Sequence, residues 1–194
     1  LLPWTDSNKL PQGRILKILG QKGVNDVEME SIVLDKGFAV GFPHSVEVEA
    51  ENIGRNEKKI PEDEIKKRKD IRDVLTFTID PHDAKDFDDA ISFKDLGNGT
   101  YEIGVHIADV SHYVREGTAL DKEALKRGCS VYLVDRTIPM LPEVLSNDVC
   151  SLNPHEDKLT FSAIFTMNDR AEVLTRWFGK TVMNSTHRFT YETA

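Results

Sequence analysis

Residues 78–90 read TIDPHDAKDFDDA, a run of closely spaced acidic side chains. The stretch contains five aspartates: Asp80, Asp83, Asp86, Asp88 and Asp89. Two carboxylates about 4 Å apart repel by roughly 4 kcal/mol near a protein surface. A fold that gathers such groups therefore needs a compensating cation, and Lys85 is the only one within the stretch.

Alternating apolar and polar residues flank this acidic stretch on both sides. Residues 75–79, LTFTI, predict a half-buried strand that ends at Asp80, on the side of the threonines. Residues 90–93, AISF, predict a second strand. Extended backwards, its alternation places Asp89 on the side of the Ile and Phe, facing the core. A carboxylate buried there without a partner is costly unless a metal ion or another group receives it.

The pattern therefore predicts two strands joined by a loop at which carboxylate oxygens converge. Oxygen ligands favour Mg²⁺, with Mn²⁺ as an alternative. Four carboxylates can bind one ion or bridge two ions about 3.5–4 Å apart, the arrangement used for phosphodiester displacement. An EF-hand is excluded, because Ala90 and Ile91 occupy positions that need Asp or Asn and then Gly. A solvated acidic turn is the alternative interpretation.

Composition places the chain among ordinary globular proteins. Its 194 residues allow one large or two small domains, and no apolar run approaches the length of a membrane span. The net charge of −8 argues against general nucleic-acid binding by the chain itself. Cys129 and Cys150 lack the spacing of a redox motif, which predicts reduced thiols and a cytoplasmic location.

The remaining pattern predicts an α+β fold with a mixed or antiparallel sheet and flanking helices. Residues 13–20 alternate as a strand, and short helices are expected near Asn25 and from His44. Residues 55–73 are nearly all charged and predict a linker with a solvated helix. From residue 74 the chain is rich in strands.

Several turns and caps can be assigned within this strand-rich part. Asn98-Gly99 predicts a hairpin turn with positive φ angles. A helix should begin at a Thr118 cap and end at Gly128. The other expected features are a helix core stripe of Leu120, Ala124 and Leu125, a strand over 131–134, an irregular loop through residue 152, and an antiparallel pair over 159–167 and 173–180.

The acidic stretch resembles the signature of the ribonuclease II/ribonuclease R family, with ribonuclease R the closer branch. Three further stretches match that family in order and spacing: IADVSHYV at 107–114, IPMLPEVLS at 138–146 and CSLNP at 150–154. The resemblance implies that residues 74–194 are the first half of a ribonuclease II-type catalytic domain. Residues 1–54 are similar to the end of the second cold-shock domain, part of a small OB-like β-barrel, and 55–73 form the charged linker.

The resemblance implies a Mg²⁺-dependent hydrolytic exoribonuclease that degrades single-stranded RNA from its 3′ end and releases nucleoside 5′-monophosphates. Matched position by position, Asp80, Asp86, Asp88 and Asp89 would be the metal ligands. Asp88 would be the most critical residue for catalysis, and Tyr132 would pack against the 3′-terminal nucleotides of the RNA. The family also uses residues outside these 194, so the chain alone is expected to be an inactive fragment.

Two other classes of function stay open on the residues alone. One is a non-catalytic acidic module that binds a metal or another protein, although a degenerate site would be expected to lose at least one aspartate. The other is a two-metal DNase or phosphatase, since carboxylates by themselves do not distinguish RNA from DNA.

Overall fold

A computed structural model describes residues 2, 3, 8 and 10–194 of the chain. The chain divides into two compact units, one comprising Leu1–Gly41 with Leu133–Asp135, the other Phe42–Tyr132 with Arg136–Ala194. Within the described residues, no helix combines the length and apolar character needed to cross a membrane.

The first unit contains one helix, α1 (Asn25–Asp35), among its described residues. The strand predicted over 13–20 is wrong, because these residues form neither a strand nor a helix. Ile15, Leu16 and Ile18 are 79%, 86% and 81% exposed, so the alternation there does not separate a buried face from a solvated one. A strand also needs a neighbour to pair its backbone groups. The OB-like barrel expected in this region is therefore not shown by the structure.

The second unit combines a large sheet with short helices, which confirms the α+β prediction. Its helices are α2 (His44–Asn56), α3 (Glu62–Ile65), α4 (Val110–Tyr113), α5 (Ala119–Arg127) and a π-helix (Val144–Val149). Its strands are β1 (Lys69–Asp70), β2 (Thr76–Asp80), β3 (Asp89–Gly97), β4 (Thr100–Ala108), β5 (Val131–Tyr132), β6 (Thr137–Ile138), β7 (Asp157–Asn168), β8 (Val173–Asn184) and β9 (His187–Thr190).

Seven strands form one mixed sheet in the order β1-β8-β7-β4-β3-β2-β9, and β5 and β6 form a separate ribbon. The inner pairs are antiparallel, while β1 runs parallel to β8 and β9 parallel to β2. The β3–β4 hairpin turns at Asn98 and Gly99, whose φ angles are 54° and 71°, as predicted. The predicted antiparallel pair is β7 and β8, each extending beyond the expected range.

On β2 and β3 the covered face of the sheet carries small and polar side chains rather than the large apolar ones. Thr76, Thr78 and Ser92 are almost fully buried, whereas Phe93 is 41% exposed. The prediction that Asp89 faces the core is therefore wrong, because Asp89 is exposed at the start of β3 and the buried residues of that strand, Ala90 and Ser92, lie on its opposite face. Alternation defines two faces of a strand but does not say which one is covered.

A helical layer packs against the sheet around Leu120 and Leu145, both fully buried. Thr118 accepts a hydrogen bond from the Asp121 amide and Gly128 ends α5 at φ 75°, which confirms both predicted ends. Leu125, placed in the core stripe, is 82% exposed. The predicted irregular loop through residue 152 contains the π-helix. The Pro142 carbonyl accepts backbone hydrogen bonds at the start of this helix.

The charged linker is more structured than predicted. It contains α3 and β1, and the Arg68 side chain is completely buried rather than solvated. Arg68 lies within 2.7 Å of Asp109 and 2.9 Å of Glu64, so it is neutralised where it is buried. The distant carboxylate of Asp109 explains why a charged side chain of this segment lies in the interior, along with the buried Ile60 and Ile71.

Candidate active site

The acidic stretch forms the connection between two adjacent strands. Asp80 is the last residue of β2 and Asp89 the first of β3, and these strands pair antiparallel. Residues 81–88, all of which the structure describes, form a loop without helix or strand. The backbone at Asp88 is nevertheless anchored, because its carbonyl accepts a hydrogen bond from the Ala108 amide at 3.0 Å.

The four predicted metal-binding aspartates lie close together, and the charges of neighbouring aspartates act on the ionisation of Asp80 and Asp88. Burial raises the pKa of Asp80, and the charges of Asp89 and Asp86 raise it further. The pKa of Asp88 is raised first by partial removal of its carboxyl group from water, then by the charges of Asp86, Asp89 and Asp80. Crowded carboxylates of this kind favour the uptake of either a proton or a cation.

Asp80 carries the clearest sign of a missing partner. Its Oδ2 atom is buried and has no hydrogen-bond partner among the described residues. A buried carboxylate oxygen without a donor loses its hydration without compensation. A cation bound beside Asp80 would remove that cost.

Tyr132 lies beside the acidic loop in the structure. Its hydroxyl donates a hydrogen bond of 2.7 Å to Oδ2 of Asp86, while the residue is 66% exposed on β5. The hydrogen bond to Asp86 raises the pKa of Tyr132 to about 12, so the phenol stays neutral in the physiological range. An exposed aromatic ring provides a surface on which a nucleotide base can stack.

Phe87 anchors the acidic loop to the core between Asp86 and Asp88. Its side chain is 3% exposed, and its amide donates to Ser151 Oγ at 3.0 Å. Its carbonyl accepts from the Leu152 amide at 2.9 Å, and Ser151 Oγ donates to the Lys85 carbonyl at 2.8 Å. The CSLNP stretch thus binds the loop backbone, a role that sequence analysis did not assign to it.

Arg188 on β9 contacts the loop from the neighbouring strand. Its Nη2 atom donates to the carbonyls of Pro81, His82 and Ala84 at 3.2, 2.6 and 3.3 Å. Its guanidinium carbon lies 4.8 Å from the centre of the Phe87 ring. Sequence reasoning missed this residue, because nothing in the local pattern relates it to a loop about a hundred residues earlier.

The described residues contain no ready-made metal cage. No group of three or more His, Cys, Asp or Glu side chains is placed to hold an ion in the part of the chain that the structure describes. The donor set still suits a hard cation, because it consists of carboxylate oxygens that include the unpartnered Oδ2 of Asp80. The aspartates are thus neighbours whose side chains would have to converge further around a metal ion.

Among the described residues the histidines belong to no metal-binding group either. His106 is fully buried, and its Nδ1 lies 2.6 Å from Ser162 Oγ. Burial lowers the pKa of His106 to about 4, which keeps it neutral. Its environment is that of a core residue on the covered face of β4.

Comparison with known proteins identifies the domain. The family model described as the RNB domain matches residues 68–194. The chain is 44% identical over 193 residues to DIS3-like exonuclease 2 of Xenopus tropicalis, covering 98% of the chain and 23% of that protein. It is 44% identical over 181 residues to ribonuclease R 1 of Lactococcus lactis, covering 93% of the chain and 22% of the relative.

A solved structure supports the same conclusion. Mycoplasma genitalium RNase R in complex with ribose-methylated single-stranded RNA superposes with a TM-score of 0.81 at 31% identity, over 90% of this chain and 27% of that one. The chain therefore spans about a quarter of the length of the relatives it matches. These similarities confirm the resemblance to ribonuclease R, and with most of its residues matched by the family model, the chain belongs to the RNB domain family.

Proposed function

We propose that the protein containing this chain is a Mg²⁺-dependent hydrolytic exoribonuclease acting on single-stranded RNA from the 3′ end. The observation that carries the proposal is the acidic loop with Tyr132 hydrogen-bonded to it, in a chain of the RNB family. The expected products are nucleoside 5′-monophosphates. Residues 74–194 would form the first half of the catalytic domain and 1–54 part of a cold-shock domain, with a cytoplasmic location.

The four aspartates have distinct places in this proposal. Asp80, Asp86, Asp88 and Asp89 would hold one or two Mg²⁺ ions, with Mn²⁺ as a substitute. A bound ion supplies charge stabilisation for the phosphate and favours ionisation of the attacking water. Asp88, anchored through its carbonyl to β4, would orient that water. Tyr132 would position the terminal nucleotide by stacking, with its hydroxyl held by Asp86.

One observation favours a second candidate function. The described residues contain no preassembled group of three metal-binding side chains. A non-catalytic acidic module, which binds a metal ion weakly or contacts another protein, would have such a loop as well. The presence of all four aspartates, two of them with raised pKa values, favours the enzyme.

Matched RNA and DNA oligomers test the proposed function. The complete protein, incubated with 5′-labelled single strands in millimolar Mg²⁺, is expected to shorten the RNA stepwise and leave the DNA intact. Removal of Mg²⁺ with a chelator should stop the reaction, and Mn²⁺ should restore it. Cleavage of DNA at a similar rate would indicate the two-metal DNase, and intact RNA would favour the binding module.

The 194-residue chain alone provides a second arm of this assay. We expect it to leave the RNA intact, because its described carboxylates do not converge into a metal site and the net charge of −8 repels RNA, most strongly at low salt. Stepwise shortening of the RNA by this chain would show that these residues suffice for catalysis.

Replacing Tyr132 is expected to change where degradation stops rather than whether it occurs. Stacking contributes about 1–3 kcal/mol per base, so in Tyr132→Ala a short terminal oligomer held by few contacts should dissociate earlier. Tyr132→Phe is the control, since it keeps the ring and removes only the hydroxyl bound to Asp86. Gel analysis of the limit products measures the effect, and an unchanged end-product length in Tyr132→Ala would contradict the assignment.

A further inference from the structure

The acidic loop needs something to hold its backbone in one conformation. Residues 81–88 form neither helix nor strand, and the carboxylates within and beside them repel one another. On one side the loop is bound by Ser151 and Leu152, through the backbone of Lys85 and Phe87. These contacts leave the preceding segment, residues 81–84, to be held from elsewhere.

Arg188 supplies that second attachment. Its register partner in the parallel β2–β9 pair is Thr78, which places it just before the loop begins. The Nη2 atom reaches the carbonyls of Pro81, His82 and Ala84, and the guanidinium lies over the buried Phe87 ring. One side chain thus binds the first half of the loop and the residue that anchors its second half.

A guanidinium suits this position better than other side chains would. It is planar and always charged, and here its Nη2 atom reaches three carbonyls while the guanidinium lies over an aromatic ring. Its charge also lies beside an acidic loop whose own sequence contains only one cation, Lys85, which is exposed. Arg188 on β9 thus brings a second positive charge to the loop, bound to its backbone carbonyls.

We propose that Arg188 is a positioning residue that holds the 81–88 loop in the conformation in which its aspartates receive the metal ion. The expected effect of Arg188 on catalysis rests on the proposed function. Its role in holding the loop does not depend on that function. Arg188 touches backbone carbonyls and Phe87, so it would act through the aspartates rather than on the substrate.

The test compares Arg188→Gln and Arg188→Lys with the control Arg176→Gln, an exposed arginine on β8. Gln removes the positive charge and the planar guanidinium, whereas Lys keeps the charge as an ammonium group. The first measurement is deuterium uptake at the Ala84 and Phe87 amides of the 194-residue chain, both of which donate hydrogen bonds. Peptides from β7 provide an internal reference for global stability.

We expect Arg188→Gln to exchange at least about ten-fold faster at these two amides while β7 is unchanged, with Arg188→Lys intermediate. The control should match the wild type throughout. Unchanged exchange at both amides in Arg188→Gln would overturn the proposal, because it would show that the loop keeps its conformation without the arginine.

The second measurement is turnover in the complete protein as a function of Mg²⁺ concentration. Misplacement of reacting groups by about 1 Å can cost on the order of 10²-fold, so Arg188→Gln should lower kcat by that order and leave KM for RNA unchanged. The Mg²⁺ concentration for half-maximal activity should rise, and Arg188→Lys should recover part of both effects. A mobile loop with normal kcat and normal Mg²⁺ dependence would overturn the positioning role.

If the wild type hydrolyses no RNA, the proposed function fails, but the positioning role of Arg188 can still be tested. In that case, titration calorimetry measures the binding of Mg²⁺, at millimolar concentration, to the 194-residue chain. Binding at least about five-fold weaker in Arg188→Gln than in Arg176→Gln would support the positioning role, and equal binding in the two variants would overturn it.

Discussion

Asp88→Asn in the complete protein is expected to lower the rate of RNA hydrolysis by at least about 10²–10³-fold, the range found when one transition-state contact is removed. The substitution keeps the shape of the side chain and removes its charge at the metal centre. Its backbone anchor, the hydrogen bond from Ala108 to the Asp88 carbonyl, does not involve the side chain and should survive.

Binding of RNA should change little in the same variant. An interaction made only in the transition state affects kcat, while uniform binding affects KM. Turnover and the affinity for a single-stranded oligomer are measured separately. Asp83→Asn is the matched control, because Asp83 is an exposed loop aspartate outside the proposed ligand set. Near-normal turnover of Asp88→Asn would remove Asp88 from the mechanism.

The largest expected effect on stability comes from the buried ion pair between Arg68 and Asp109. The two side chains are 0% and 3% exposed and lie 2.7 Å apart. Arg68→Met leaves Asp109 buried with the half-exposed Lys180, at 3.2 Å, as its remaining cationic partner among the described residues. We expect a loss of about 3–5 kcal/mol in the free energy of unfolding, typical for breaking one side of a buried pair.

Urea unfolding of the 194-residue chain measures this loss as a lower midpoint at unchanged slope. The double variant Arg68→Met/Asp109→Leu should recover much of it, because no unpaired charge then remains at the Asp109 position. Lys67→Met is the surface control, since Lys67 is 65% exposed beside Glu64. A loss in Arg68→Met no larger than in the surface control would contradict the structural role of the pair.

The same pair determines part of the pH dependence of stability. Burial alone would raise the pKa of Asp109, but Arg68, the Ser111 hydroxyl and Lys180 outweigh it and hold the pKa below its ordinary value. The stabilisation is therefore complete above the unfolded pKa of about 3.9 and is lost as pH falls through the lower folded value. This acid-side loss should be smaller in Arg68→Met.

Sequence alone determined the features of this protein that depend on neighbouring residues. Three local features were predictable: the hairpin at Asn98-Gly99 and the two ends of α5, at Thr118 and Gly128. Each depends on one residue that either adopts a positive φ angle or caps the helix with its side chain. The strands on either side of the acidic loop were predictable from the alternation of apolar and polar residues. The position of the acidic loop was predictable for the same reason, since its aspartates all lie within residues 80–89.

Only the tertiary structure decided which partners those residues have. Alternation could not show that the threonine face of β2 is the covered one, so Asp89 was assigned to the wrong side. The burial of Arg68 in a charged segment depends on Asp109, and the binding of the acidic loop depends on Arg188, each distant in the sequence. Coulombic attraction and hydrogen bonding act over a few ångströms of space, so a local pattern contains no record of them.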